Sequence, residues 1–405
     1  MIIYYYRGSD MKMTVKRMIC IMTSVLTVMT VFFTVVRADN YQLDIDLMSD
    51  YAYVYDMTHD IILLDKNSEE RMYPASMTKI MTEILALEHY TNMDREIVIT
   101  YPMIEGLREA EATRIAYQPG DVATVRDLLY GVMLPSAADS CHALAITLDG
   151  SLSAFADRMN RKAKELGLKD THFVNSSGLH DDRHYSTCRD IAKLMEYCLQ
   201  NEKFVEIMKT EEYVTNPTYY DPEGCDIYNG TLRGFKRRNL PAPGLVGGKT
   251  GFTDEALQCL VCYAELNDMK LIIVTAHGSG TSYMPAHFGD VSNILCELND
   301  WHYARVMDDR QVQQTITIHH QFSDETIEIL NSGDIDMIVP DARVVRTETD
   351  FVDEYDSGLE DVEKKGKVTV WCNDQIIDER EMTIVIPKER NLVGIVIKFF
   401  KKLFR

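Results

Sequence analysis

Apolar positions recur with a helical period from Ser76 to Tyr90, where Met77, Ile80, Met81, Ile84 and Leu85 line one face. A second helix opens at Thr124-Val-Arg-Asp127, a capping-box pattern, and runs to about Leu134, before Pro135. A third is expected from about Asp139 to Leu148, and a fourth from Ser153 to Leu166, closed by Gly167. The pattern changes at Leu257–Glu265 and Lys270–Ala276, two strand-like runs flanking Asn267-Asp268, which predict a hairpin. Tyr51–Tyr55 and Ile61–Leu64 predict another near the amino end. Helices grouped on one side of a small antiparallel sheet make an α+β domain, placed at residues 39–305. From residue 310 to 388 the runs Thr315–Ile318, Asp336–Val339, Lys367–Trp371 and Met382–Ile386 are short and β-like, between acidic or turn segments, and predict a small all-β domain. No internal repeat or low-complexity tract is present.

The two ends carry different patterns. Lys12, Lys16 and Arg17 precede an uncharged run from Met18 to Val36, closed by Val36-Arg37-Ala38. A basic start, an apolar stretch and small residues at cleavage spacing describe a secretory signal over residues 1–38. The run is 19 residues, long enough to remain as an uncleaved anchor. Either reading places the chain from Asp39 onward outside the cytoplasm. Residues 391–405 set Leu392, Val396, Phe399 and Leu403 on one stripe, with Lys398, Lys401, Lys402 and Arg405 opposite. Such a segment predicts an amphipathic helix lying in a membrane interface and drawn to anionic lipid.

Composition narrows the partners. Apolar residues are 46% and charged residues 26% of the 405, which is ordinary for a folded soluble protein. A net charge of −21 argues against nucleic acid. The nine cysteines show no disulfide-framework spacing. Cys259-Leu-Val-Cys262 resembles a redox or zinc pair, yet on a strand its two thiols point to opposite faces, so both are expected to be small core residues.

The chemistry begins at Tyr73-Pro-Ala-Ser-Met-Thr-Lys79. Positions i and i+3 share a helix face, so the Lys79 ammonium and the Ser76 hydroxyl can meet. A serine becomes a useful nucleophile when a base takes its proton, and a lysine serves only if its pKa is lowered. Ser-x-x-Lys alone is weak, since about one or two are expected by chance in a chain this size. Gly247-Gly-Lys-Thr-Gly251 adds a second cation, Lys249, and a backbone that can approach a ligand closely. Lys-Thr-Gly is expected by chance only about 0.05 times. It precedes the Leu257–Glu265 strand and so sits at a sheet edge, where a peptide can add alongside. A phosphate loop is excluded, because the position five before Gly248 is Pro243. Between these motifs, Leu134-Pro-Ser-Ala-Ala-Asp139 puts Ser136 on a tight link between helices, where a hydroxyl can relay a proton.

In the order Ser-x-x-Lys, Ser-x-x, Lys-Thr-Gly, the three motifs resemble the penicillin-binding and serine β-lactamase superfamily. Pro74–Lys79, Tyr130–Ser136, Asn175-Ser-Ser-Gly-Leu-His180, Tyr185-Ser-Thr187 and Gly247–Asp254 extend the resemblance to the low-molecular-weight D-alanyl-D-alanine carboxypeptidases, over about Tyr41 to Trp301. The resemblance implies a penicillin-binding-like fold and removal of the terminal D-alanine from peptidoglycan stem peptides, with β-lactams as inhibitors and no cofactor or metal. Ser76 would be the nucleophile, Lys79 its base and Ser136 the proton relay. Lys249 and Thr250 would hold the terminal carboxylate beside Gly251, and the backbone N–H groups of Ser76 and Phe252 would form the oxyanion hole. The implied location is the outer face of the cytoplasmic membrane. One departure stands out: the family's Asn two residues after the middle serine is Ala138 here, with Asp139 as a candidate replacement.

Three other readings compete. A rapid β-lactamase needs a Glu-x-x-Leu-Asn loop, which is absent from Ser136 to Lys249. A zinc peptidase could use His180 and His184, although they fall in a loop and read as exposed histidines near the groove. A wall-binding protein without turnover is motivated by Ala138 and opposed by the intact Ser76, Lys79 and Lys249.

Overall fold

The computed structural model describes residues 41–403 apart from 282, 309–310, 331–333 and 390. The apolar run Met18–Val36 therefore lies outside the described residues. Two compact units are present: Gln42–Tyr303 with Ile338–Asp341, and Tyr41 with the described parts of Ala304–Met337 and Ala342–Arg405.

The larger unit is built on a five-stranded antiparallel sheet. Its strands are β1 (Ser49–Asp56), β2 (Ile61–Lys66), β3 (Leu245–Thr253), β4 (Leu257–Leu266) and β5 (Met269–Gly278), in the order β2-β1-β5-β4-β3. Both expected hairpins form, and β1 pairs with β5 so that Tyr53 lies opposite Val274. The edge strand β3 carries Lys249 opposite Val261 of β4.

The sequence pattern placed the helices on one side of the sheet, whereas the structure buries both faces. On β4, Cys259, Val261 and Tyr263 join the main helical core, while Leu260, Cys262 and Ala264 are buried on the other face. The near-continuous apolar run Leu257–Leu266 is what such a doubly covered strand requires. Cys259 and Cys262 are thus separated core residues with free thiols.

The helices are α1 (Lys79–His89), α2 (Val125–Met133), α3 (Ala138–Asp149), α4 (Leu152–Glu165), α5 (Cys188–Cys198), α6 (Glu202–Lys209), α7 (Gly230–Arg238) and α8 (Ala286–Leu298). Thr124 caps α2, its hydroxyl accepting from Asp127 N at 3.1 Å while the Asp127 carboxylate accepts from Thr124 N at 2.9 Å. This is the reciprocal box that the sequence predicts. The first helix differs from its expectation. Ala75–Thr78 forms a 3₁₀ turn and the α-helix begins only at Lys79. Every residue from Lys79 to Leu87 is buried, because α2, α3 and α5 surround this helix.

The smaller unit contains two three-stranded sheets. One orders Asp324–Leu330, Val312–His319 and Glu354–Asp356, and the other Val345–Thr349, Val362–Cys372 and Gln375–Ile386. Ile316, Ile318, Ile329, Phe351, Val368, Met382, Ile384 and Ile386 form its core. A helix, α9, spans Leu392–Leu403. No described helix is long and apolar enough to cross a membrane.

Candidate active site

Ser76 sits in the 3₁₀ turn that feeds α1, directly after Ala75, whose φ is +44°. A left-handed alanine is costly and persists only where its surroundings hold it. Two glycines do so. A Cβ on Gly178 would fall 1.8 Å from the Ala75 carbonyl oxygen, and one on Gly251 would fall 3.0 Å from Pro74 O and 3.1 Å from Ser76 N. The serine turn is clasped between the Gly178 loop and strand β3.

Behind the turn, Lys79 Nζ donates to Ser76 Oγ at 2.7 Å and to Ser177 O at 2.6 Å. Lys79 is 3% exposed. Burial lowers its pKa below the ordinary lysine value, against smaller opposing effects of Cys141 and Asp139. Thr82 Oγ1 donates to Ser176 O at 2.6 Å, so α1 is tied twice to the loop Asn175-Ser-Ser-Gly-Leu179. That loop is shaped by Asn175, whose Oδ1 accepts from Ser177 N and Gly178 N and whose Nδ2 donates to Leu179 O. In the sequence this motif counts only toward the family resemblance. In the fold it holds two carbonyls against α1.

His184, expected as an exposed histidine, is buried below the same loop. Its Nδ1 accepts from Val174 N at 3.1 Å and its Nε2 bonds to Thr78 Oγ1 at 2.8 Å. Burial pushes its pKa down to about 4. With one nitrogen held by Thr78 of the serine turn and the other by Val174, it is not placed to share a metal with His180.

Lys249 is buried, with its Nζ donating to Thr250 O at 2.9 Å. Burial lowers its pKa strongly, and the Lys79 charge lowers it further. A groove of about 960 Å³ lies above these residues, lined by Ser76, Lys79, Ser136, Ala138, Ser177, Thr250, Gly251 and Phe252. Lys249 itself is not among the residues that line this groove. Ser136, with φ +69°, stands on the four-residue link between α2 and α3.

Asp139 does not replace the missing asparagine. Its carboxylate turns away from the groove and accepts from Ile115 N, Ala116 N and Ser140 N, at 3.2, 2.9 and 2.9 Å. Ala138 donates its own N–H to Thr113 O at 2.7 Å. The site is therefore built without an amide side chain at that point. One further group was not anticipated: Glu83, four residues after Lys79, is fully buried, with both oxygens unpartnered, and burial raises its pKa well above the carboxylate range.

The order Ser76, Lys79, Ser136, Lys249 in space invites comparison with known proteins. The D-alanyl-D-alanine carboxypeptidase family profile matches residues 36–279, more than half of the chain. The chain belongs to this family. Within it, the chain is 36% identical over 214 residues to the D-alanyl-D-alanine carboxypeptidase DacF of Bacillus subtilis, covering 53% of each protein. It is 31% identical over 245 residues to the D-alanyl-D-alanine carboxypeptidase of Streptomyces sp. strain K15, covering 58% of this chain and 81% of that one. The crystal structure of the Streptomyces K15 DD-transpeptidase superposes with a TM-score of 0.56 at 27% identity, over 63% of this chain and 98% of that one. The chain spans about half the length of the Bacillus relative.

Proposed function

We propose that this family member is a serine D,D-carboxypeptidase that removes the terminal D-alanine from peptidoglycan stem peptides. The observation that carries the reading is the 2.7 Å contact between a buried, pKa-lowered Lys79 and the Ser76 hydroxyl. Neutral Lys79 takes the hydroxyl proton as Ser76 Oγ attacks the carbonyl carbon between the two D-alanines. The oxyanion meets the N–H groups of Ser76 and Phe252, a reading supported by the packing of Gly251, next to Phe252 in the chain, against Ser76 N. The C–N bond then breaks, the departing amine receives a proton through Ser136, and D-alanine leaves. Water hydrolyses the Ser76 ester and returns the enzyme. The Thr250 hydroxyl, backed by Lys249, receives the terminal carboxylate.

The test uses the full chain with a diacyl-Lys-D-Ala-D-Ala tripeptide, following free D-alanine, and with penicillin, following mass. Stoichiometric D-alanine release and a single penicilloyl adduct on the Ser76 peptide are expected. An adduct elsewhere, or no release, would sink the reading.

The same reading places the enzyme on the outer face of the membrane, held there by α9. Leu392, Val393, Val396 and Phe399 are exposed on that helix, and so are Lys401 and Lys402. Such a pairing of apolar and basic groups suits an anionic lipid surface. Deletion of residues 391–405 is expected to abolish cosedimentation with phosphatidylglycerol vesicles while D-alanine release persists; retention on the vesicles would refute the anchor.

A further inference from the structure

The groove must attract a carboxylate, yet the cation expected to bind it, Lys249 of β3, is buried with its Nζ on a backbone carbonyl. Besides Lys79, which serves Ser76, the lysine and arginine side chains that line the groove are on α7. Gly230, Arg233, Gly234, Arg237 and Arg238 all face it, the i, i+3, i+4, i+7, i+8 stripe of one helix side. Leu232, Phe235 and Lys236 line a separate cavity on the other side of the helix.

The start of α7 is fixed at the carboxylate end of the site. Asn229 caps it, accepting from Thr231 N and Leu232 N and donating to Met208 O and Thr210 O. Gly230 N donates to Leu134 O, on the link that carries Ser136, and Thr231 Oγ1 donates to Gly248 O on β3. A Cβ on Gly230 would stand 4.0 Å from Thr250 Oγ1. Arg233 is one helical turn further on and Arg237 two, rises of roughly 4.5 and 10.5 Å.

Neither guanidinium is spent on an acid. Among the described residues no carboxylate lies within ion-pair distance of Arg233, Arg237 or Arg238, in a chain with 63 acidic and 42 basic residues. Arg238 is turned to Gly234 O and the Phe288 ring. Arg233 lies 4.0 Å over the Tyr228 ring, which fixes the plane of the fork and leaves its edge N–H groups for a ligand. The groove also carries three acids, Glu111, Asp254 and Glu255, of which Glu255 is paired with His180.

We infer that Arg233, assisted by Arg237, is a specificity-determining residue that selects peptides ending in a free carboxylate. This rests on the carboxypeptidase reading and assigns within it the groups that distinguish a chain end from a continuing or amidated chain. Thr250 supplies a hydroxyl to the carboxylate and the α7 arginines supply the charge.

The experiment compares diacyl-Lys-D-Ala-D-Ala with the same tripeptide ending in a carboxamide, on the full chain and on Arg233→Gln, Arg237→Gln and the double variant. Both arginines are at least partly exposed, so the fold is expected to persist, as circular dichroism would verify. For the free acid, kcat/KM is expected to fall about 10- to 100-fold in the double variant, mainly through KM, the range of one or two charge-assisted hydrogen bonds. For the carboxamide it should not change. A parallel loss on both peptides, or an unchanged acid-over-amide preference, would overturn the assignment while leaving the carboxypeptidase reading intact. Absence of wild-type turnover on either peptide would overturn that reading and this assignment with it.

Discussion

Replacing Lys79 with methionine is expected to lower acylation of Ser76 by a factor on the order of 10⁴. A nucleophile and its base act as a unit, and removal of either disables both. The side chain is nearly isosteric, so the buried site should stay filled. The pH dependence comes from the direction of the lysine shift. Lys79 accepts a proton only when neutral, and burial lowers its pKa below 10.5. Acylation should therefore rise with pH as Lys79 deprotonates, with a midpoint below the ordinary lysine value. Stability has the same sign. Between the folded pKa and 10.5 the unfolded chain binds the proton that the folded site rejects, so stability increases as pH rises through that window. Below it the full penalty of a buried ammonium is present, and Lys79→Met should melt higher than wild type there. Penicillin acylation rates and melting temperatures across pH check both halves. A methionine variant that still acylates at wild-type rate would remove Lys79 from the mechanism.

How far the sequence led depends on the range of the interaction concerned. The capping box at Thr124 and Asp127, the turn at Asn267-Asp268 and the stop at Gly167 are local, and each appears within a residue or two of its expected place. Lys79 and Ser76 were also legible, because i and i+3 suffice to join them. Their surroundings were not. The 3₁₀ turn at Ala75–Thr78 replaces a longer α-helix because Gly178, about a hundred residues away, packs against the Ala75 carbonyl. Nothing near Asp139 in the chain reveals that Ile115 and Ala116 present their amides to it. The arginine stripe of α7 could have been found from its spacing in Gly230-Thr-Leu-Arg-Gly-Phe-Lys-Arg-Arg238. Periodicity identifies such a face, but only the bonds to Leu134 and Gly248 turn it toward the groove.

Gly178→Ala is expected to be the most damaging single methyl addition in the site. The residue has φ +81°, where an L side chain alone costs about 1–2 kcal/mol. The new Cβ would stand 1.8 Å from Ala75 O and 2.9 Å from Thr78 Oγ1. The first contact is with backbone, so no side-chain rotation relieves it. The Ala75 carbonyl must move, and Ser76 moves with it. A displacement near 1 Å at a nucleophile lowers turnover by about 100-fold, and overpacking of this kind costs roughly 1–3 kcal/mol beyond the backbone strain. Gly167→Ala separates the two effects. It has a similar φ of +67°, but its Cβ would meet only the end of the flexible Lys193 side chain, at 3.1 Å. Both variants should lose the stability set by a left-handed alanine, measured by urea unfolding. Only Gly178→Ala should also lose D-alanine release and penicillin acylation in the protein that remains folded. Equal activity in the two folded variants would mean that the Gly178 loop does not position Ser76, and that the strain at Ala75 is maintained from the β3 side alone.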